Sequence, residues 1–252
     1  NRVWQKLFGE GLVRSPSDFG VRGDLPTHPE LLDSLALEFM RDGWSMKRLI
    51  RRIVLSETYL QASADRQEAR AKDPENKLLW RMPRRRLDFE ALRDSMLMVS
   101  GKLNSKIGGQ SVRIVAIPVD PRRTMYSLIE RERPLALLKT FDVADPDQHS
   151  PQRYQTTVPQ QGLFLLNSPF VGEMAAGLAG RSKDLAEMYR IAFGREATAA
   201  ELERGRVFWR DGSVREVAAG LAGVAGLAGP AGSDGPWQYG AGSLDVSAGR
   251  VN

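Results

Sequence analysis

The sequence has no cysteine and only two histidines among its 252 residues. Without cysteine, this chain has no disulfide, no thiolate metal site, no thiolate-attached haem and no cysteine nucleophile. Long apolar runs are also missing, because a stretch such as LFLL at 163–166 is far too short to cross a bilayer, so we predict no membrane span. The chain begins at Asn1 without a recognisable secretion signal. We therefore expect a segment of a longer protein, with any targeting signal outside it.

Charge of one sign is not segregated along the chain. The net charge is +5 and the pI is about 9.6, which could attract nucleic acid or acidic polymers. The arginines, however, alternate with acids, as in RRRLDFEALRD at 84–94, and this pattern is typical of a solvated or ion-paired helix face. Zinc-finger spacing and the glycine–aromatic signature of RNA-binding domains are absent. Nucleic-acid binding is therefore disfavoured and is kept as the last alternative.

Helix signals dominate what is present. Capping boxes, in which a hydroxyl and a glutamate three residues later satisfy helix N–H groups, occur at Thr27–Glu30, Thr198–Glu201 and Ser213–Glu216. Ser45 is predicted to cap a second helix over 46–60 with Leu49, Ile53 and Leu60 in the core. Thr156 or Thr157 is expected to cap a helix that begins near Pro159, and Gly194 is predicted to end a later one.

The sequence predicts a mainly α fold: a multi-helix domain with a small inserted β-hairpin. The hairpin is expected near 112–131, where VRIVAIPV is β-branched and RTMYSLIER alternates. The helical domain is predicted to span 1–228, with sub-bundles 1–105 and 134–228 joined by the hairpin. Residues 229–252 are rich in glycine and proline and are predicted to be a linker that leads into a β-rich segment.

The polar loop FDVADPDQHSPQRYQTTVPQQ, residues 141–161, is the candidate site. Loops on a rigid scaffold commonly carry function, and the loop precedes an apolar helix. Thr and Pro residues of the loop suit a helix start, whereas Asp147, His149 and Arg153 have no such explanation. The candidate ligand-binding residues are Asp142, Asp145, Asp147, His149, Arg153 and Thr157.

The acids of this loop resemble a metal site only in part. Its D-x-x-D-x-D-x-H run could ligate Ca²⁺, but Pro146 interrupts it and neither a turn glycine nor a distal glutamate is present. We therefore expect no metal and no cofactor in this segment. Acid pairs such as Asp88 with Glu90 would need to converge for glycoside hydrolysis, and helix-surface charge pairing is the favoured interpretation. G-x-S-x-G, P-loop and G-x-G-x-x-G motifs are absent, so the sequence leaves open whether the protein is an enzyme.

Several long motifs carry a family resemblance. The stretch from NRVWQKLFGEGLVRSPSDFG to RRIVLSETY (1–59) closely resembles the opening of a planctomycete-specific domain of unknown function, number fifteen-fifty-three. RRRLDFEALRDSMLMVSGKLN, RRTMYSLIERERPLALLKTFDVADPDQ and YRIAFGREATAAEL resemble its later blocks in the same order. The resemblance covers about residues 1–210.

The resemblance implies a module of large exported proteins in the periplasm or cell envelope. Such proteins carry cytochrome-c-like domains and lectin-like β-sandwiches, so the expected partners are neighbouring domains of the same chain and, as a further possibility, polysaccharide. The first hypothesis is a non-catalytic interaction or scaffold module. The alternatives are part of an enzyme that acts on polysaccharide and, last, a nucleic-acid-binding adaptor.

Overall fold

The computed structural model describes residues 1–114, 118–132 and 135–210, together with residues 244–245 and 250–251. Within these residues the chain is mainly helical, with eleven α-helices, which confirms the main feature of the predicted fold class. The chain divides into two compact units. Unit 1 comprises Asn1–Arg86 with Ser150–Gln152, and unit 2 comprises Leu87–His149 and the described residues from Arg153 onward.

Some expectations concern residues outside this range. The capping box Ser213–Glu216, the end of the helical domain at 228 and most of the linker 229–252 lie outside the described residues. The exceptions are the two-residue strands β1 (Leu244–Asp245) and β2 (Arg250–Val251), which pair antiparallel. The domain limits and the linker therefore stay predictions.

Unit 1 contains five helices. They are α1 (Arg2–Phe8), α2 (Pro29–Arg41), α3 (Met46–Val54), α4 (Glu57–Leu60) and α5 (Gln67–Lys72).

Helix starts in unit 1 follow some of the capping predictions. Ser45 caps α3 as predicted, since its hydroxyl accepts from the amide of Arg48. The box at Thr27–Glu30 is wrong: α2 begins at Pro29, its N-cap His28 makes no side-chain cap bond, and the Thr27 hydroxyl donates to the carbonyl of Leu12 instead. Proline suits the first helical position because its missing N–H would have no partner there.

The helix predicted over 46–60 is interrupted. Ser56 donates from its hydroxyl to the Ile53 carbonyl at 2.7 Å and accepts from the Tyr59 amide at 3.3 Å, so it ends α3 and caps α4. Leu60 is exposed, contrary to its predicted place in the core. Ile53 is buried as predicted.

The core of unit 1 forms where α1 packs on α3 and α3 on α2. Its buried side chains are Trp4, Phe8, Leu12 and Ile53. The Trp4 and Phe8 rings stack with centroids 4.2 Å apart, and an offset stack of this kind adds to the burial of both rings.

Unit 2 contains the remaining helices and one 3₁₀ turn. They are α6 (Phe89–Val99), the 3₁₀ turn Thr124–Tyr126, α7 (Ala136–Thr140), α8 (Pro159–Asn167), α9 (Pro169–Arg181), α10 (Leu185–Phe193) and α11 (Ala199–Arg210).

The core of unit 2 is aromatic at its centre. Its buried members are Phe89, Ile114, Leu138 and Phe164. Phe141 lies between α7 and the loop that follows, with ring centroids 4.9 Å from Phe89 and 5.4 Å from Phe164. α6 also packs against α9, which places the helix of 89–99 with the later helices.

The predicted β-hairpin near 112–131 is wrong in the residues that the structure describes there. A 3₁₀ turn occupies Thr124–Tyr126, in the middle of the expected second strand. The bridge between Val112 and Ser127 is isolated and parallel, whereas a hairpin requires an antiparallel ladder. Asp94 accepts hydrogen bonds from both the amide and the hydroxyl of Thr124, which are then not available to a strand partner.

The described helices are short compared with a membrane span. No single helix there is long and apolar enough to cross a membrane. The pair α8 and α9 reaches the required length and composition only when taken together, and it is bent by 52° at its junction.

Candidate functional site

The candidate loop runs from the end of α7 to the start of α8 and is closed at its base. Gln161, which is only 4% exposed, donates from Nε2 to the Thr140 carbonyl at 2.8 Å. Two residues after Thr140, the Asp142 carboxylate accepts from the amide and the hydroxyl of Thr156, both at 2.8 Å. These hydrogen bonds connect the end of α7 to the start of α8, so the two ends of the loop lie next to each other.

Asp142 adopts an unfavourable backbone conformation at this position. Its φ is +56°, in the left-handed region, which asparagine and aspartate tolerate better than most residues. The predicted capping of α8 by Thr156 or Thr157 is wrong, because the N-cap is Val158 and no side chain makes a cap bond there. Thr156 bonds Asp142 instead, and Thr157 is exposed.

The acids and the histidine in the middle of the loop are exposed. Asp145 accepts the amide of Asp147 at 2.9 Å, the local bond that commonly forms a turn at aspartate. The Asp147 carboxylate lies 3.8 Å from Nε of Arg131, and both side chains are more than half exposed. His149 is also exposed, beside the segment Ser150–Gln152 that belongs to unit 1.

Arg153 forms the best-defined contact of the loop. Its two terminal nitrogens donate to the two carboxylate oxygens of Glu90 on α6, each at 2.8 Å. Both side chains are about two-thirds buried, at 32% and 29% exposed. Burial, the largest single effect, acts to raise the pKa of Glu90. The hydrogen bonds and charge of Arg153, together with a backbone hydrogen bond to the carboxylate, outweigh it and hold the pKa below its ordinary value. The same hydrogen bonds raise the pKa of Arg153.

The structure thus gives the predicted site residues separate partners. Asp142 binds Thr156, Asp147 lies near Arg131, and Arg153 binds Glu90. In the described part of the chain, no group of three or more His, Cys, Asp or Glu side chains is arranged to hold a metal ion.

A buried polar network on α6 was not expected from the sequence. Arg93 is 2% exposed and donates to the carbonyls of Asp120 at 2.7 Å and Arg122 at 3.0 Å. Burial lowers the pKa of Arg93 below its ordinary value. The neighbouring Asp94 binds Thr124, so two successive α6 residues hold segment 120–124. The alternating charges indicated a solvated or ion-paired face. For Arg93 that prediction is wrong, because the side chain is buried and donates to backbone carbonyls.

Two cavities lie in unit 1, and none of the six predicted site residues lines either of them. The larger, of about 420 Å³, lies beside the end of α1 and the segment 75–85 and has several arginines in its lining. The smaller, of about 280 Å³, is mostly apolar and lies among α1, α2 and α3. The run RMPRRR at 81–86, which has four arginines and no acid within it, is the sequence feature that could have indicated the larger cavity.

Residues 1–209 match the family model of PSD1, described as a protein of unknown function (DUF1553). The chain belongs to this family. The resemblance predicted over residues 1–210 is therefore confirmed, and the PSD1 match ends close to the last residue of α11. No curated protein and no solved structure matches the chain. The PSD1 description assigns no activity to the family.

Proposed function

We propose that this PSD1 chain is a non-catalytic interaction module of an exported multidomain protein, where it holds neighbouring domains of the same chain together at the cell envelope. The observation that carries the proposal is the dispersal of the candidate loop's polar groups. Asp142, Asp147 and Arg153 each face a different partner. A general acid–base pair would instead need two groups within reach of one reacting atom.

The electrostatics of the Glu90–Arg153 pair support the same function. Hydrogen bonding lowers the pKa of Glu90 against the effect of burial and raises the pKa of Arg153, so both groups stay charged across neutral pH. Proton transfer is most efficient when the catalytic group titrates near the working pH. A permanently charged, bidentate pair is suited to fixing the loop on α6.

Unit 1 offers a surface for such an interaction. Exposed apolar side chains lie along the second half of α2, on the connection to α3 and on the first turns of α3, and an apolar group of this kind is typical of interaction surfaces. We call this set the hairpin patch: Leu37, Met40, Trp44, Met46 and Ile50. Trp44 is 65% exposed, and tryptophan is enriched among residues that dominate binding energy.

The proposal is tested with the domains that flank this segment in the full-length protein, each purified separately and titrated against it by calorimetry. We expect saturable binding to at least one of them. The variant Trp44→Asn, in which asparagine suits the backbone φ of +60° at this position, should weaken binding about tenfold or more. The matched control is Leu166→Gln in unit 2, where a 77% exposed leucine is replaced, and it should change binding less than twofold.

Two results would contradict the proposal. One is the absence of binding to every flanking domain. The other is turnover of a polysaccharide by the full-length protein that is lost on substituting Asp147 and His149 with alanine, since this result would make the candidate loop part of an enzyme.

A further inference from the structure

The larger cavity of unit 1 is an open cleft of about 420 Å³ with an excess of positive charge. Its lining contains five cationic side chains and two carboxylates, and we call it the basic cleft. The charged residues of the basic cleft are Glu10, Arg14, Glu75, Lys77, Arg81, Arg84 and Arg85.

Two of the cations neutralise the two acids. Glu75 lies 2.8 Å from Nζ of Lys77 and 3.2 Å from Arg14, and Arg14 also pairs with Glu10 at 2.9 Å. The hydrogen bond from Lys77, followed by that from Arg14, lowers the pKa of Glu75, so this acid is ionised at neutral pH. The three remaining cations, all arginines, supply the net charge of the cleft.

Arg84 and Arg85 have no carboxylate within ion-pair distance among the described residues. Nε of Arg84 donates to the Ser63 carbonyl at 3.0 Å, and Nη1 of Arg85 donates to the Lys6 carbonyl at 2.6 Å. A guanidinium has five N–H groups, so one carbonyl bond fixes each side chain and leaves donors for a ligand.

Gly9 makes the position of Arg85 possible. The residue ends α1 with φ of +97°, a conformation that favours glycine. A Cβ at this position would lie 3.0 Å from Cδ of Arg85. The side chain of Arg85 therefore lies directly over the C-terminal end of α1, where a positive charge is stabilised by the unpaired carbonyls.

Arg81 is held by the loop that precedes it. The Asn76 side chain accepts from the Arg81 amide at 3.2 Å and donates to its carbonyl at 3.0 Å. The Arg81 guanidinium lies over the Trp80 ring, 5.1 Å from its centre. Nε of Arg81 is buried without a hydrogen-bond partner among the described residues, and its nearest acid, Asp65, is 3.8 Å away. A buried donor without a partner can donate a hydrogen bond to an added oxygen ligand.

We propose that the basic cleft binds a discrete oxyanion, a sulfate, phosphate or carboxylate group, through Arg81, Arg84 and Arg85. Arginine is the preferred partner of such groups because its planar fork can bind two oxygens at once. Since all three side chains are already fixed by protein contacts, little conformational entropy is lost on binding. The lining of the basic cleft shares no residue with the hairpin patch or with the candidate loop, so this proposal can be tested independently of the function proposed above.

A nucleic-acid strand fits the cleft less well. Non-specific binding of single strands relies on exposed aromatic faces on which bases stack. The aromatic residues of the lining, Trp4 and Phe8, are buried and stacked on each other. Glu10 and Glu75 would also repel the phosphates next to the bound one. The source of the oxyanion is therefore either a free ion or an acidic group on a small molecule or glycan.

The test is equilibrium dialysis of the whole chain with radiolabelled inorganic sulfate and inorganic phosphate, at ionic strength held constant with chloride. Two competitors are tested separately: galactose 6-sulfate and a single-stranded DNA of twelve bases. Arg84→Gln and Arg85→Gln are compared with Arg51→Gln, which removes the same charge from an exposed position on α3 outside the lining. Glu75→Gln removes a carboxylate from the rim.

We expect about one sulfate or phosphate per chain. Loss of a charge-assisted hydrogen bond should weaken this binding at least about tenfold in Arg84→Gln and in Arg85→Gln, while Arg51→Gln changes it less than twofold. Glu75→Gln should bind sulfate or phosphate more tightly, because it removes a negative charge from the cleft. This expected gain in affinity still tests the proposal if an arginine variant fails to fold. If galactose 6-sulfate displaces the labelled ion at a lower concentration than unlabelled sulfate does, the natural ligand is a sulfate carried on a glycan. If unlabelled sulfate displaces it at the lower concentration, the natural ligand is the free ion.

Three results would overturn the proposal. They are the absence of saturable binding, an equal loss in Arg51→Gln and the cleft variants, and displacement by DNA at concentrations well below those of the sulfated sugar.

Discussion

Arg93 and Arg153 are two arginines of unit 2 with opposite electrostatic surroundings. Arg93 is 2% exposed and donates to backbone carbonyls, and burial lowers its pKa. Arg153 is partly exposed and faces Glu90, whose carboxylate raises its pKa. The first side chain holds segment 120–124 through neutral acceptors, and the second holds the candidate loop through an ion pair. The Arg153 contact can be tested by substituting either Arg153 or Glu90, whereas backbone carbonyls that accept from Arg93 cannot be removed by substitution.

The Glu90–Arg153 pair is predicted to stabilise the fold rather than to bind a ligand. Glu90→Gln and Arg153→Gln should each lower the free energy of unfolding by about 1–3 kcal/mol, because each leaves a partly buried charge without its partner. The double variant should lose clearly less than the sum of the two, since the pair is then absent altogether. Urea unfolding of the whole chain measures all three values. Additive losses would show that the two residues act independently.

At the scale of elements, short-range hydrogen bonds fix the ends of α10 and the start of α11. The Thr198 hydroxyl accepts from the Glu201 amide at 3.3 Å, and Glu201 accepts from the Thr198 amide at 2.8 Å, which confirms the predicted capping box of α11. Gly194 has φ of +66° and ends α10 as predicted. The N-cap of α10 is Asp184, whose carboxylate accepts from the Glu187 amide.

The start of α11 is predicted to lose stability in acid. Hydrogen bonds from Arg195 and Thr198 lower the pKa of Glu201 to about 2, whereas its ordinary value is 4.5. Because the pKa is lower in the folded chain, the contribution of Glu201 to stability is complete above about pH 4.5 and is lost as the pH falls towards 2. Glu201→Gln should therefore be less stable than the wild type at pH 6, and the difference should shrink by pH 3. Urea unfolding at both pH values measures it, and a difference that does not change with pH would contradict the assignment.

At the scale of the whole molecule, the described residues form two separate cores. Trp4, Phe8 and Leu12 belong to the core of unit 1, and Phe89 and Leu138 to that of unit 2. Each core has its own aromatic cluster. Local unfolding of a protein commonly follows such groups of packed elements.

Matched leucine substitutions should therefore affect different parts of the chain. Leu12→Ala and Leu138→Ala remove the same atoms from buried sites that are 1% and 6% exposed, and each should cost about 2–5 kcal/mol. In hydrogen exchange read by mass spectrometry, Leu12→Ala should accelerate exchange mainly in α1–α3. Leu138→Ala should do so mainly in α6–α9. Equal acceleration throughout by both variants would mean that the chain unfolds as a single cooperative unit.

The mainly helical class, the Ser45 and Thr198 caps and the stop at Gly194 were predictable from the sequence, because these features depend on hydrogen bonds between residues at most four apart. The family was predictable for a similar reason, since its motifs are continuous stretches. The predicted Thr27 cap is absent because the Thr27 hydroxyl donates to the carbonyl of Leu12, fifteen residues earlier in the chain.

The candidate site depended on contacts that only the tertiary structure decides. Arg153 meets Glu90 across 63 residues of chain, and Arg85 meets the Lys6 carbonyl across 79. Which charges pair over such separations is decided by how the helices pack, and helix packing is governed by apolar side chains that carry no information about charge partners. The sequence by itself therefore determined the helices and the family of this protein. The packing of those helices decided that the polar loop is tied down and that three arginines of one run line a cleft.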